Sequence, residues 1–158
     1  MEPSILKAFL QIPYGIYVLA TAQTTGPRAM VVSWVSQASY SPPRLTVALR
    51  QNRPAIPAIL DQNIFSLNLL KEDRVAWVDR FKDPAPSQDL RGFFEEVPVD
   101  KQKFYRLKDS LAFWACRLVS KFDTGDHLLF LAEALAASAA QGRPLLTSDC
   151  GKTYVGRT

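Results

Sequence analysis

Proline and glycine punctuate this chain at short intervals, and the stretches between them are mostly strand-forming. Tyr14 to Ala22 is rich in β-branched and aromatic residues and runs into a turn at Thr25, Gly26 and Pro27. Arg28 to Tyr40 reads as a second strand, which Ser41, Pro42 and Pro43 stop because proline cannot supply a ladder N–H. Leu45 to Leu49 and Ile64 to Leu70 predict two more. Leu111 to Phe122 and Leu128 to Ala140 predict a pair of long strands joined by the turn Asp123 to His127, although the alanines of the second equally suit a helix and strand is preferred for its first half; Thr153 to Val155 predicts a short closing strand. Helical signals are few. Pro3 to Leu10 is a short amphipathic opening. Asn52 or Arg53 caps a helix with Pro54 in its first turn, running to about Asp61, and Pro57 limits its regularity. Asp73 to Phe81 places Val75, Val78 and Phe81 along one helical face. Residues 82–109 mix charge and proline with Phe93, Phe94, Phe104 and Tyr105, which predicts a long excursion anchored by aromatics. Many short strands and few helices predict a mainly β fold, a β-barrel rather than a doubly wound sheet.

At 158 residues and 47% hydrophobic content the chain suits one domain, residues 1–158, with an adequate core. Cys116 and Cys150 then read as buried small hydrophobes, and a lone histidine, His127, cannot build a histidine-rich metal site. No metal is expected. No stretch reaches the ~20 apolar residues of a membrane span, and the opening lacks a secretory pattern, so a cytoplasmic protein with no membrane partner is expected.

The net charge of +4 is unevenly placed. Residues 3–60 hold Lys7, Arg28, Arg44, Arg50 and Arg53 and no acidic residue, whereas residues 61–158 balance 14 basic against 14 acidic residues. An anionic partner for the first third follows. Nucleic acid is disfavoured, because the clustered aromatics lie in the charge-balanced stretch 82–109 and form no stacking platform beside the arginines. Phosphate-loop, dinucleotide-turn and nucleophile-elbow motifs are absent.

Four stretches are less generic: Gly15 to Thr21, Ala29 to Pro43 (AMVVSWVSQASYSPP), Phe65 to Leu70 (FSLNLL) and Gly125-Asp126-His127. Together, in this order, they resemble the flavin reductase-like family of FMN-binding split barrels. The chain looks most like the C-terminal flavin reductase domain of cyanobacterial-type flavodiiron proteins. The resemblance implies a split β-barrel with a few short helices, FMN (or FAD) as cofactor, NAD(P)H as hydride donor, and a homodimer with flavin near its interface. It also implies that His127 sits at the mouth of the flavin site and helps to bind or orient the nicotinamide, with Asp126 as its orienter. An alternative on the same fold is a non-catalytic FMN-binding or electron-carrier protein. A third reading is a barrel that binds a ligand with no redox role.

The residues can be read against that implication. A flavin mononucleotide needs an apolar slot, partners for its polar edge, and a cationic clamp for a phosphate of about two negative charges. Met30, Val31, Val32, Ser33, Trp34, Ser36, Gln37 and Ser39 interleave apolar groups with hydroxyls and an amide. Serines three apart change face along a strand, so Ser33 and Ser36 are expected to straddle a bend with backbone N–H groups donating to the ring. Arg50 and Arg53 flank the helix start at Pro54 and Ala55, a ready phosphate site. Trp34 departs from the small polar residue of many family members. Tyr154 aligns with a segment that brings an aromatic toward the ring.

Overall fold

The computed structural model describes residues 2–82 and 88–154, of which 152–154 are described by backbone alone. In chain order the elements are α1 (Pro3–Phe9), β1 (Tyr17–Gln23), β2 (Gly26–Val32), β3 (Val35–Ser39), β4 (Arg44–Arg50), α2 (Ala55–Gln62), β5 (Ile64–Leu69), α3 (Ala76–Lys82), β6 (Phe94–Val99), β7 (Gln102–Leu107), β8 (Ala112–Asp123) and β9 (His127–Ala139). Seven strands form one antiparallel sheet in the order β2-β1-β5-β8-β9-β4-β3. Its outermost strands, β2 and β3, are consecutive in the chain and joined only by Ser33 and Trp34. Two residues span too little to cross an open seven-stranded sheet, so the edges must curl together. They meet without pairing, which makes the sheet a split β-barrel.

Strand alternation then sorts the apolar residues. Leu19, Val47, Phe65, Leu67, Cys116 and Phe130 point into the barrel and are buried there, and Ala55, Ile56 and Ile59 of α2 plug one end. The opposite faces of β1 and β2 present Val18, Ala20 and Val31 to Val78 and Phe81 of α3 and to Phe94, Tyr105 and Leu107. Two buried polar side chains on β5 tie these layers. The Ser66 hydroxyl donates to the Tyr105 carbonyl (2.7 Å). Asn68 Nδ2 donates to the carbonyls of Val18 (3.1 Å) and Tyr105 (3.3 Å), while its Oδ1 accepts from the Leu107 N–H (2.7 Å).

Several expectations are corrected. Residues 94–107 are a hairpin, β6 with β7, and the anchoring aromatics are as expected: Phe94, Phe104 and Tyr105 are buried. Residues 83–87 lie outside the described set. The span Arg28 to Tyr40 is two strands, broken at Ser33 and Trp34 where the bend was expected. Thr147–Tyr154 is 3₁₀-helical rather than ending in a strand at Thr153, with Gly151 as a kink, while Val155 is outside the described residues. There the Asp149 carboxylate accepts from the Leu146 N–H (2.9 Å), a local turn that outweighs three residues of strand preference. Pro57 is the third residue of α2, where the N–H has no intrahelical partner, so it removes no bond. Val75 precedes α3 and is exposed rather than facing the core. Cys116 and Cys150 are buried, as expected, and burial pushes both thiols up. No helix among the described residues is long and apolar enough to cross a membrane.

Candidate functional site

His127 opens β9 and lies opposite Arg50, the last residue of β4. A tight turn delivers it there. Gly125 takes φ 110°, a conformation L side chains rarely adopt, and its N–H donates to Asp123 Oδ1 (2.9 Å). Both the N–H and the hydroxyl of Thr124 donate to the His127 carbonyl, at 3.1 and 3.0 Å. Gln51 braces the turn from β4's end: its Nε2 donates to the Gly125 carbonyl (2.7 Å) and its N–H to the Asp126 carbonyl (3.1 Å). Asp126 Oδ1 lies 2.7 Å from His127 Nδ1, the orienting contact expected from the sequence. That hydrogen bond, with the nearby charges of His127 and Arg50, holds the Asp126 carboxyl below its ordinary range. The Trp34 indole stacks on the His127 ring at 4.6 Å and 26°.

Beside this pair the chain turns from β4 into α2. The Arg53 N–H donates to the Arg50 carbonyl (3.0 Å), so both guanidiniums sit on the turn that precedes the helix. Pro54 is the N-cap and Ala55 the first helical residue, and no side chain caps the helix start. The Ile56 N–H already donates to the Arg53 carbonyl (3.1 Å) and Pro57 has none, so the Ala55 N–H, the partial positive charge of the helix start and the two arginines before it are what the turn offers an anion.

From Trp34 the site continues along β3. The Ala48 N–H donates to the Trp34 carbonyl (2.9 Å). By the alternation of an antiparallel ladder, the backbone groups of Val35 and Gln37 therefore face away from β4; the Val35 N–H is taken by the Ser33 carbonyl (2.8 Å), which leaves the Gln37 backbone toward the seam of the barrel. A cavity of about 290 Å³ runs along β3, among Tyr17, Val35, Gln37, Ser39, Arg44 and Trp114. Burial raises the Tyr17 phenol, so at neutral pH it is an uncharged hydrogen-bonding group. Arg44 Nε is buried with no hydrogen-bond partner among the described residues.

The residues singled out from the sequence are thus divided. Ser33 lies at the break and Trp34 against His127; Ser36, Gln37 and Ser39 line the cavity; Arg50, Arg53, Pro54 and Ala55 form the cationic turn. Met30, Val31 and Val32 are not available as side-chain contacts. All three are buried, Met30 and Val32 inside the barrel and Val31 beneath α3, so only their backbone can face a ligand. The Tyr154 side chain lies outside the described residues. Sequence reasoning missed Tyr17, Trp114 and Gln51, and it left Arg44 without a role. The one signal available was the unexplained charge of Arg44. Among the described residues, no cluster of three or more His, Cys, Asp or Glu side chains could hold a metal ion.

Fold and site together define a split-barrel protein with a polar-edged cavity along β3 and, past the end of β4, a turn that carries two arginines. The family model described as flavin reductase like domain matches residues 9–155. The chain belongs to that family. It is 30% identical over 132 residues to the reductase component of a 4-nitrophenol 4-monooxygenase/4-nitrocatechol 2-monooxygenase from Rhodococcus opacus, covering 83% of this chain and 69% of that one. It is 32% identical over 133 residues to putative diflavin flavoprotein A 6 of a Nostoc species, covering 82% of this chain but only 23% of the relative. The structure of an NADH:FAD oxidoreductase from Streptomyces globisporus superposes with a TM-score of 0.82 at 20% identity, over 92% of this chain and 88% of that one.

Proposed function

We propose that this protein is an NAD(P)H-dependent flavin oxidoreductase that holds FMN along β3 and reduces it with a nicotinamide donor. The observation that carries the reading is the uncapped start of α2 just after Arg50 and Arg53, beside a strand, β3, whose outer edge is unpaired. This donor set suits the cofactor. Arg50, Arg53 and the Ala55 N–H would hold the phosphate. The outward backbone of Gln37, with Ser33, Ser36 and Ser39, would meet the polar edge of the ring, and Tyr17, Trp114 and Arg44 would border its far end. The backbone of Met30 to Val32 stays rigid beneath it, and Tyr154 is a further candidate contact. When bound, the flavin supplies an acceptor for the hydride of the nicotinamide, and its electrons pass on to an acceptor.

The chain's own contribution is orientation and electrostatics. His127, fixed at Nδ1 by Asp126, would engage the dinucleotide beside the cationic turn. The Rhodococcus relative, a reductase component, and the NADH:FAD oxidoreductase of similar fold support the reading and make FAD the second flavin to try. Because the chain spans under a quarter of the diflavin flavoprotein, that protein's wider activity is not carried over. We read residues 1–158 as one domain acting in the cytoplasm, where reduced nicotinamides are made, and as a homodimer. The exposed Ile5, Phe9 and Leu10 on α1 and Val119 and Phe122 on β8 support an apolar interface.

Flavin titration tests the phosphate clamp. The double variant Arg50→Ala, Arg53→Ala is expected to bind FMN more than about tenfold more weakly, a loss of at least about 1.4 kcal/mol, while riboflavin, which lacks the phosphate, binds both proteins alike. Equal FMN affinity in both proteins would remove the clamp from the account.

A further inference from the structure

Trp34 does not lie over the cavity; its ring turns to His127. Their placement follows from the register. The Trp34 carbonyl accepts from the Ala48 N–H, and His127 lies opposite Arg50, so both rings stand on the outer face of the barrel on either side of β4. The β4 residue between them is Ala48, whose small side chain leaves room for an indole to reach across. The rings meet at 4.6 Å and 26°, with Tyr14 behind the indole at 6.3 Å. The His127 side chain is only 14% exposed although its partner Asp126 is 76% exposed, so an aromatic surface rather than the carboxylate shields it.

We propose that Trp34 is a positioning residue for the nicotinamide donor: it fixes the plane of His127 by stacking, while Asp126 fixes its rotation through Nδ1. The two contacts are complementary. A single hydrogen bond leaves an imidazole free to swing about that bond, and a stacking surface alone leaves it free to slide or flip in plane. With both in place, Nε2 is the ring nitrogen that faces the incoming dinucleotide in a constant direction. The inference rests on the reductase reading for its consequence, but the stack itself can be tested without any cofactor.

The first arm uses tryptophan fluorescence of the cofactor-free protein at one neutral pH, since an imidazole in contact with an indole quenches it. His127→Ala is expected to raise the emission of the wild type, and the same substitution made in Trp34→Phe should leave the emission unchanged. Equal emission with and without the His127 ring in the protein that keeps Trp34, or an equal rise in the Trp34→Phe protein, overturns the stack.

The second arm uses steady-state kinetics. Trp34→Ala is expected to raise the donor KM about fivefold with flavin affinity within about twofold, and Trp34→Phe to restore most of it, in keeping with the size of an aromatic contact. A Trp34→Ala protein with weakened flavin binding and an unchanged donor KM would overturn the proposal and make Trp34 a flavin contact. If the wild type oxidises neither nicotinamide, the reductase reading fails. The fluorescence arm then still upholds or overturns the stack by itself.

Discussion

At Gly125 the backbone turns through a positive φ, and two residues later His127 starts β9 with its Nδ1 beside Asp126. The Gly-Asp-His triplet was legible in the sequence because each member has a separate duty: the glycine permits the turn, the aspartate orients, the histidine is presented. Its consequence is kinetic. His127→Ala is expected to raise the donor KM about tenfold, the scale of one charge-assisted hydrogen bond, with flavin affinity within about twofold in the same titration. Unchanged KM and turnover would deprive His127 of the role. What could not be read in advance was the partner of Trp34. Strand periodicity places its side chain on a face, but which ring it meets depends on the β4 register and on the small Ala48 lying between. The same limit applies to Met30, Val31 and Val32. A motif groups residues by sequence, whereas alternation sends them to opposite sides of the sheet, both of which are covered here.

Among the elements, the β6–β7 hairpin was the hardest to see. Glu95 pairs with Arg106 on one face and Glu96 with Lys103 on the other, so charge on both faces hides the strand pattern and the segment reads as a loop. Only its aromatics gave it away as packed. What docks it is a pair of polar residues inside an apolar run, Ser66 and Asn68, which reach the backbone of β7. Asn68 is fully buried and bridges β1, β5 and β7. Asn68→Ala is expected to destabilise the fold by about 3 kcal/mol, because a buried donor and two acceptors lose their partners, and Ser66→Ala by about 1 kcal/mol. Urea unfolding with unchanged slope checks both. Equal small losses would mean that the hairpin is held by Phe94, Phe104 and Tyr105 alone. The long strand β8 and the first half of β9 were legible because a clear turn separates two apolar runs; the alanines of the second half of β9 equally suited a helix, and pairing with β8 decides for strand. The 3₁₀ segment at Thr147–Tyr154 was not, since a single side-chain contact from Asp149 decides it.

For the molecule as a whole, strand count and spacing pointed to a barrel, but strand order did not follow from them. The pairs β1 with β5 and β4 with β9 join segments far apart in the chain, and nothing local encodes which edge receives which strand. Closure became evident only from the fact that the two outermost strands are neighbours in sequence. The one-sided charge of residues 3–60 now resolves into places. Arg50 and Arg53 stand at the start of α2 and Arg44 at the far cavity, roughly 20 Å apart along the seven residues of β4. Three of the five cations thus stand at or just past the two ends of β4, while Lys7 on α1 and Arg28 on β2 lie elsewhere.

The central claim, that this site serves hydride transfer between a nicotinamide and a flavin, is tested most directly by mixing the FMN-loaded protein with NADH or NADPH in the absence of oxygen. The account expects the visible flavin absorbance to bleach within catalytic turnover times with at least one of the two donors, and to return on admitting air. Flavin that binds but stays oxidised with both donors would contradict it, leaving an FMN-binding or electron-carrier protein on the same barrel.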